Sequence, residues 1–295
     1  MISIIVPFYN EEESLPVLNK EIVDVMEKMG KEYEVIYVND GSTDSWNRNF
    51  QNEKIKIVSL RRRFGKGEAL RVGVESAMGD IIIFMDADLQ DDPKDIPHFI
   101  ARLDKGFDLV NGVRKIRKDS LVIKTYSSIF NRILKSIFKS PFSDINCGFK
   151  AMKKKIFEEL ILYGNNFRFL PLAAHYQGFK VSEIEVDNRE RKYGKSKFGA
   201  VKFFIGFLDT ISAYFIYQFS EKPLHFFGSV GAVFFITGFI IALYLSVTRI
   251  FYHQLLYRRP ALQLAMLLII VGIQILMTGI IGELIVYLSK KNSKS

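Results

Sequence analysis

Two long apolar runs near the C-terminus constrain this chain more than any other feature. Leu224–Val247 contains no Asp, Glu, Lys or Arg, and Ala261–Leu288 contains Glu283 as its only charged residue. At about 1.5 Å of rise per helical residue, each run can cross a hydrocarbon core of roughly 30 Å. Core helices of a soluble domain are the alternative, but such helices normally carry a polar face. The sequence therefore predicts two transmembrane helices, joined as a hairpin by Thr248–Pro260.

The orientation of this hairpin is predicted from the N-terminal region. Lys and Arg residues lie on both sides of the hairpin, so the positive-inside rule decides little. The first apolar stretch, Ile2–Phe8, is too short for the core of a secretory signal, and acidic residues follow it. We therefore expect a multi-pass protein of the inner or plasma membrane, with the large N-terminal region and the basic tail 290–295 in the cytoplasm.

Between these regions, Phe198–Phe219 is rich in aromatic residues and has few charges. This composition predicts one or two amphipathic helices in the membrane interface, with a third spanning helix as the alternative. The predicted organisation is thus a catalytic domain over 1–197, juxtamembrane helices over 198–222 and the hairpin over 223–289.

The N-terminal region alternates between apolar strands and helical patterns. Strands are predicted at SIIVPFY, YEVIYVND, KIKIVSL and DIIIFMDAD, and helices at Glu12–Met29, ended by Gly30, and at Gly67–Met78. Strands that are apolar on both faces are typical of a sheet covered by helices. The order predicts an open α/β sheet that binds its ligands at the carboxyl ends of the strands.

The charge of the chain narrows the class of partner. Its 295 residues include 41 Lys and Arg against 32 Asp and Glu, a formal net charge of +9. A basic balance suits anionic lipid or a phosphorylated ligand. No nucleic-acid-binding signature is present, so we expect no nucleic-acid partner. The single cysteine, Cys147, excludes an intrachain disulfide and is expected to be a small buried side chain.

The most informative local pattern is MDADLQDDP, which follows a predicted buried strand. Asp86 and Asp88 are separated by one residue, and two close carboxylates repel each other unless a cation lies near them. Hard divalent cations such as Mg²⁺ and Mn²⁺ take oxygen ligands and often bridge phosphates. The pair therefore predicts a site for a metal and a diphosphate, whereas a solvated acidic turn remains an adequate interpretation of Asp91 and Asp92.

Polar residues also follow the first two predicted strands. In VNDGSTD, Asp40 is a candidate acceptor of hydrogen bonds from a base or ribose, while Ser42, Thr43 or Asp44 would cap a following helix. In PFYNEE, Tyr9 is a candidate for stacking on a base and Glu11 for accepting a ring N–H, with ordinary surface positions as the alternative.

A set of cations is available for phosphate groups. Arginine grips phosphate with two parallel hydrogen bonds, and lysine acts as a point charge. Solvated surface runs are the alternative interpretation, which RRRFGK and IRKDS fit at least in part. The candidates are Lys66, Arg114, Arg189, Arg191 and Lys195.

Taken together, these motifs resemble the family-2 inverting glycosyltransferases of the GT-A fold. The similar subgroup is that of dolichyl-phosphate mannose synthase and the bacterial polyprenyl-phosphate glycosyltransferases, including the bactoprenol glucosyltransferases. The resemblance covers nearly the whole chain and rests on P-x-Y-N-E, V-N-D-G-S-T-D, F-G-K, D-A-D-L-Q-D, G-V-R, C-G-F-K, R-F-L-P and G-K-S-K-F-G, in that order, together with the terminal pair of apolar helices.

The resemblance implies a role for each matching residue. Pro7, Tyr9, Glu11, Asp40 and Lys66 would bind the nucleotide. Asp88 would bind Mg²⁺ or Mn²⁺ with Gln90 near it, and Asp86 would face the sugar-nucleotide. The implied catalytic set is Asp86, Asp88, Arg114 and Arg191, and the implied acceptor-phosphate set is Arg168, Arg189 and Lys195.

Three departures refine the comparison. RRRFGKGEAL replaces the commoner S-R-N-F-G-K form at Arg63, and DNRERKYGKSK leaves open which of Arg189 and Arg191 meets the phosphate. The Q-x-x-R-W motif of processive synthases is absent, because the only tryptophan is Trp46, far upstream. A single transfer is therefore favoured.

The function that the resemblance implies is transfer of one hexose from a UDP- or GDP-linked sugar to polyprenyl (undecaprenyl) phosphate, giving a lipid-linked sugar for the cell envelope. UDP-glucose is the first donor expected, ahead of UDP-GlcNAc, UDP-galactose and GDP-mannose. A homo-oligomer is left open by analogy with relatives. The alternatives are transfer to a glycolipid or another hydroxyl acceptor, and a membrane sensor of sugar-nucleotides without activity.

Overall fold

A computed structural model describes residues 1–46, 53–114, 142–160, 166–189, 222–252 and 260–292, together with positions 212, 213, 215, 216 and 219. The chain divides into two compact units, Met1–Ala213 and Tyr214–Ser295. The interfacial segment predicted at 198–222 lies largely outside the described residues, and Arg191 and Lys195 lie outside them entirely.

The first unit is built on a seven-stranded mixed sheet. Its strands are β1 (Ile2–Phe8), β2 (Tyr33–Asn39), β3 (Ile55–Ser59), β4 (Ile81–Phe84), β5 (Leu109–Arg114), β6 (Lys150–Lys153) and β7 (Val181–Val186). Its helices are α1 (Leu15–Met29), α2 (Lys66–Glu75), α3 (Ile96–Asp104), α4 (Lys154–Glu159) and α5 (Leu170–Tyr176), with short 3₁₀ helices at Pro93–Asp95 and Asn166–Phe169.

The order of the strands across the sheet is β3-β2-β1-β4-β6-β5-β7. β1 pairs in parallel with both β2 and β4, β2 with β3, and β5 with β7, whereas β6 runs antiparallel to β4 and β5. The carboxyl ends of the other six strands therefore lie at one edge of the sheet, beside the start of β6. The predicted open α/β sheet is confirmed.

The apolar pattern explains why the central strands form. Every residue of β1 and β2 is buried, since helices cover the sheet. On one face, Leu15, Leu18, Ile22 and Met26 of α1 recur at helical spacing and are all buried. Gly30 ends α1 as predicted, because its φ of 61° is a left-handed conformation that glycine adopts without steric cost.

Two predicted helix boundaries were wrong. α1 begins at Leu15 rather than Glu12, because the Ser14 hydroxyl donates to the Glu11 carboxylate within a preceding turn. α2 ends at Glu75 rather than Met78, because the backbone N–H of Met78 donates to the buried Glu34 carboxylate at 2.6 Å and that of Gly79 to the Ser3 hydroxyl at 2.9 Å. Acceptors that are distant in the sequence therefore bind the N–H groups that one more turn of α2 would have used.

The second unit contains α6 (Pro223–Tyr252) and α7 (Pro260–Asn292), both long and apolar enough to cross a membrane. The helices are antiparallel and approach closely through glycines: a Cβ at Gly231 would lie 2.7 Å from the Gly272 carbonyl oxygen, and one at Gly238 would lie 2.8 Å from that of Ala265. Small residues at helix contacts are typical of membrane proteins. The predicted two-helix hairpin is confirmed.

The one acidic residue of these helices has a partner within the hairpin. Glu283 accepts a hydrogen bond from the backbone N–H of Leu224, at 3.3 Å. This N–H belongs to the first turn of α6, where no intrahelical acceptor exists. Glu283 therefore serves a helix-helix contact near the end of the hairpin.

Candidate active site

The ends of β1 and β2 lie side by side and bring together the first predicted group. Phe8 pairs with Asn39 across the two strands, so Tyr9 and Asp40 follow at the same level. Pro7 is buried within β1, and Tyr9 is half-buried beyond its end. Glu11 lies in the loop before α1 and accepts the Ser14 hydroxyl at 2.8 Å.

The Asp40 carboxylate binds the loop that follows β3. Its oxygens accept the backbone N–H groups of Phe64 at 2.7 Å and Gly65 at 2.9 Å. Gly41 has a φ of 71°, and a Cβ there would lie 2.6 Å from the backbone of Arg62 and Arg63. Asp40 therefore fixes the loop that leads into the N-terminus of α2, a role that the sequence pattern did not predict.

The GSTD segment holds the loop after β1. Ser42 accepts the backbone N–H of Asn10 at 3.0 Å, and Asp44 accepts that of Glu12 at 3.0 Å. The described hydrogen bonds of these side chains join the loops that follow β1 and β2. The predicted helix after them would run into residues 47–52, which lie outside the described residues, so the capping role stays a prediction.

The Asp86 carboxylate and the Lys66 ammonium form an ion pair at the end of β4. Burial would raise the pKa of Asp86, but the charge and hydrogen bond of Lys66, together with the charges of Lys150 and Arg114, outweigh it and hold this pKa below its ordinary value. Asp86 is therefore ionised at neutral pH, with a cation from the first turn of α2 beside it.

Asp88 lies on the turn that follows and is half-buried. Its carboxylate accepts the backbone N–H of Gln90 at 3.2 Å. Between them Leu89 is buried with a φ of 63°, an uncommon conformation for a non-glycine residue. Strained backbone of this kind clusters at functional sites. Asp88 and Gln90 are both partly exposed on either side of the buried Leu89.

Asp91 is buried, so the expectation that it belongs to a solvated turn was wrong. Its carboxylate accepts the backbone N–H of Asp86 at 3.0 Å. Burial, and then the charge of Asp86, raise the pKa of Asp91 to about 7. Asp92 is mostly buried as well: it caps the 3₁₀ helix through the N–H of Lys94, at 3.0 Å, and pairs with Arg189.

The turn before β6 closes the other side of the Asp86 carboxylate. A Cβ at Gly148 would lie 2.7 Å from the Asp86 Oδ2 atom, so a larger residue there would have to displace this carboxylate. Lys150, which pairs with Phe84 at the end of β4, is buried and donates to the carbonyl oxygens of Ile145 and Cys147. Burial lowers the pKa of Lys150 to about 8.

Gly148 and Lys150 were missed as functional candidates. Their signal was a glycine and a lysine within an apolar segment, C-G-F-K, which had been noted only as part of a family pattern. Cys147 is buried as expected.

Arg114 ends β5 and forms a two-fold hydrogen-bonded pair with Asp144, at 2.8 and 3.2 Å. Burial opposes the charge of Arg114, but Asp144 raises its pKa above the ordinary value. Asp144 is buried and is the counter-charge that orients Arg114.

The remaining predicted cations differ in their surroundings. Arg189 pairs with Glu21 and Asp92, each at 2.6 Å, so two carboxylates offset its charge. Arg168 is exposed, and its neighbour Phe167 places its ring 5.3 Å from the Lys66 ammonium. The structure therefore places the residue before the R-F-L-P segment near Lys66 and Arg189 beside α1.

The oxygen ligands at this site fit a divalent cation that takes its remaining ligands from a substrate and from water. Among the described residues, no three His, Cys, Asp or Glu side chains gather into a self-sufficient metal site. Mg²⁺, however, usually keeps waters and binds one or two carboxylates plus substrate phosphates. Asp88 on its partly exposed turn, with Gln90 beside it, offers such oxygen ligands, whereas Asp86 is paired with Lys66.

Solved structures define the class of fold. Glucosyl-3-phosphoglycerate synthase from Mycobacterium tuberculosis, in complex with Mn²⁺, uridine diphosphate and phosphoglyceric acid, is similar with a TM-score of 0.57 and 20% identity, over 74% of this chain and 78% of that one. Its complex with Mn²⁺ and UDP-glucose has the same TM-score, identity and coverage. The predicted GT-A fold is confirmed.

Sequence comparison then identifies the family. Residues 3–161 match glycosyl transferase family 2. Dodecaprenyl-phosphate galacturonate synthase from Rhizobium johnstonii is 33% identical over 294 residues, covering 96% of this chain and 87% of that protein. The chain therefore belongs to glycosyl transferase family 2 and is a glycosyltransferase.

Proposed function

We propose that this enzyme transfers a single sugar, with inversion, from a nucleotide-sugar to the phosphate of a polyprenyl phosphate. The observation that carries this proposal is the pair formed by Asp86 and Lys66 at the carboxyl edge of the sheet, with Asp88 two residues further on. The acceptor class is supported by the relative named a dodecaprenyl-phosphate galacturonate synthase, whose similarity extends over nearly the whole of both chains.

The donor site in this proposal comprises the ends of β1, β2 and β4. Pro7, Tyr9, Glu11 and Asp40 form the nucleoside side of the site. Lys66 supplies positive charge to the diphosphate, while the ionised Asp86 accepts hydrogen bonds from the sugar-nucleotide. Because Lys66 keeps the pKa of Asp86 low, this acceptor function persists at neutral pH.

A divalent cation, Mg²⁺ or Mn²⁺, would be held by Asp88 with Gln90 near it. When bound, such an ion neutralises the charge that develops on the departing nucleoside diphosphate. Asp88 is two residues from the ionised Asp86, and the buried Leu89 fixes the turn that presents it. The protein's contribution is to hold that carboxylate in place before the donor arrives.

The acceptor is a nucleophile that needs little activation. The second pKa of a phosphate monoester is near 6, so a phosphate oxygen is ionised at pH 7 and no strong general base is required. That oxygen bonds to the anomeric carbon as the bond to the nucleoside diphosphate breaks and the leaving group takes the electron pair. Two anionic substrates must then meet, and we propose that Arg114, Arg168, Arg189, Arg191 and Lys195 offset their repulsion.

The hairpin α6–α7 is the proposed membrane anchor, with the catalytic domain on the cytoplasmic side. Confining enzyme and lipid acceptor to one membrane raises their effective concentration. The proposed organisation keeps the catalytic domain at 1–197, the interfacial segment at 198–222 and the spans near 224–247 and 261–288.

The identity of the transferred sugar is the most specific part of the proposal. UDP-glucose remains the first donor to test, and the name of the Rhizobium relative makes UDP-galacturonate its main competitor. Both are UDP-linked hexose derivatives, and they differ at two carbons of the sugar, in the configuration at C4 and in the carboxylate that galacturonate carries at C6. Both carry the diphosphate that Lys66 is proposed to meet.

The test is a transfer assay on the full chain in detergent micelles with undecaprenyl phosphate. Radiolabelled UDP-glucose, UDP-galacturonate, UDP-GlcNAc, UDP-galactose and GDP-mannose are supplied in turn with Mg²⁺, Mn²⁺ or chelator. We expect one labelled lipid product, its loss with chelator, and a decrease of about 100-fold or more in Asp88→Asn. Asp104→Asn, a change at an exposed carboxylate paired with Lys31, is the matched control.

Absence of lipid-linked label with every donor would contradict the proposed acceptor. Label recovered on a hydroxyl-bearing glycolipid would assign the enzyme to the alternative acceptor class. Full transfer by Asp88→Asn would remove this residue from the proposed metal site.

A further inference from the structure

The Arg63 guanidinium lies over the ring of Tyr9, with its central carbon 4.1 Å from the ring centroid. Arg62, the next residue along the chain, lies instead over Phe64 at 4.9 Å. Arg63 follows β3, and Tyr9 follows β1, so the contact joins two strand ends at the candidate donor site. The R-R-R run therefore does more than form a solvated surface.

The backbone around Arg63 is fixed from two directions. Gly41 lies so close that a Cβ there would be 2.6 Å from the Arg63 nitrogen. The next two N–H groups, of Phe64 and Gly65, donate to the Asp40 carboxylate. Asp40 and Gly41 at the end of β2 thus place Arg63 where its side chain reaches Tyr9.

Arg63 differs in its charge balance from three of the other candidate cations. Within the parts of the chain that the structure describes, carboxylates pair with Lys66, Arg114 and Arg189, whereas Arg63 forms no such ion pair. Its side chain is exposed. Arg63 therefore presents a positive charge that is available for an incoming anion at this edge of the sheet.

The guanidinium of arginine is planar, and its N–H donors lie in that plane and point outward. With its central carbon 4.1 Å from the centroid of the Tyr9 ring, the guanidinium of Arg63 is supported by this ring. Those donors match the geometry of phosphate oxygens, and the stacking limits the side-chain freedom that binding would otherwise remove. We propose that Arg63 binds the diphosphate of the nucleotide donor, with Tyr9 as the platform that orients its guanidinium. This assignment rests on the proposed function and adds a residue that family comparison leaves unassigned.

Nucleotide binding tests this inference without requiring turnover. The full chain in detergent is titrated calorimetrically with UDP, UMP and uridine, or with the guanosine series if wild-type protein binds GDP more tightly. We expect Arg63→Ala to weaken diphosphate binding by about 10-fold and monophosphate binding by less, with nucleoside binding unchanged.

Two variants isolate the contribution of the stacked guanidinium. Arg61→Ala removes an equal charge from the same exposed run without touching the Tyr9 contact, and we expect UDP binding within about twofold of wild type. Arg63→Lys keeps the charge but loses the planar fork, so its affinity should fall between those of wild type and Arg63→Ala. Thermal melting verifies that each variant is folded.

The inference is overturned if Arg63→Ala and Arg61→Ala weaken UDP equally, or if uridine and UDP lose affinity to the same extent, which would indicate stacking on the base. Failure of the wild-type protein to bind any nucleoside diphosphate would instead refute the proposed function.

Discussion

Gly148 lies directly against the carboxylate of Asp86, and a Cβ at this glycine would be 2.7 Å from the Oδ2 atom. Asp86 follows the end of β4, and Gly148 precedes the start of β6. They come into contact because these strands pair antiparallel, with Phe84 opposite Lys150. The backbone of the C-G-F-K turn is therefore one wall of the Asp86 site.

Gly148→Ala should displace the Asp86 carboxylate from its pair with Lys66. We expect transfer to fall by about 100-fold, because small misplacements of reacting groups have large effects on rate. Gly106→Ala is the control: its φ of 90° makes the variant strained, but a Cβ there meets no atom within 4 Å. The site interpretation fails if both variants lose activity only in proportion to their melting temperatures.

Lys66→Met should change the pH dependence of transfer. Lys66 helps to hold the pKa of Asp86 below its ordinary value against the opposing effect of burial, so its removal raises that pKa. Because the ionised carboxylate is the active form, the acid limb of the pH-rate profile should move to higher pH. Lys66→Arg retains the charge and should leave the limb near its wild-type position. If the acid limb of the pH-rate profile does not move in Lys66→Met, the ionisation that it reports does not belong to Asp86.

Lys150→Met should destabilise the first unit. The substitution leaves the carbonyl oxygens of Ile145 and Cys147 without their buried donor, at a cost of about 1–3 kcal/mol in the free energy of unfolding. Lys153→Met is the matched control on the same strand, since Lys153 is partly exposed and pairs with Asp108. Thermal or denaturant unfolding of the two variants gives the comparison, and equal losses would contradict a special role of Lys150.

Asp91→Asn should stabilise the metal-free protein above neutral pH. The pKa of Asp91 is raised to about 7 from 3.8, so the folded protein binds a proton more tightly than the unfolded chain. Stability is then lost as the pH rises from about 4 through about 7, where the buried carboxyl must ionise. An asparagine can still accept the Asp86 N–H and carries no charge.

We therefore expect the melting temperature of Asp91→Asn to exceed that of wild type by several degrees at pH 8 in chelator, and the difference to shrink toward pH 5. Asp92→Asn provides a contrast, because it removes a partner of Arg189 and should lower stability at both pH values. A difference for Asp91→Asn that does not vary with pH would refute the raised pKa.

Local sequence patterns accounted for the strand and helix framework. β1, β2 and β4 were recognisable because runs of apolar residues form buried strands, and Gly30 marked the end of α1. Asp86 and Asp88 were placed at a strand end for the same reason. The end of α2 was less predictable, because the carboxylate of Glu34 accepts the backbone N–H of Met78 from 44 residues away in the chain. The start of α1 was misplaced although the contact between Glu11 and Ser14 spans only three residues.

Other parts of the site depended on partners far away in the chain. Asp91 looks like a surface residue in the sequence but is buried, because the turn after β4 folds it beneath the backbone of Asp86. Arg189 was predicted to meet a phosphate, yet the structure pairs it with Glu21, 168 residues earlier. The phosphate role of Arg189 stays a prediction.

The sequence by itself determined the open sheet, the apolar hairpin and the D-x-D motif, because periodicity and burial of apolar side chains are written in neighbouring residues. Tertiary structure alone decided the surroundings of each charge: Lys66 with Asp86, Arg114 with Asp144, and Arg63 over Tyr9. Ionisation and binding depend on distance and burial in three dimensions, and these arise only when separate strand ends meet at one edge of the sheet.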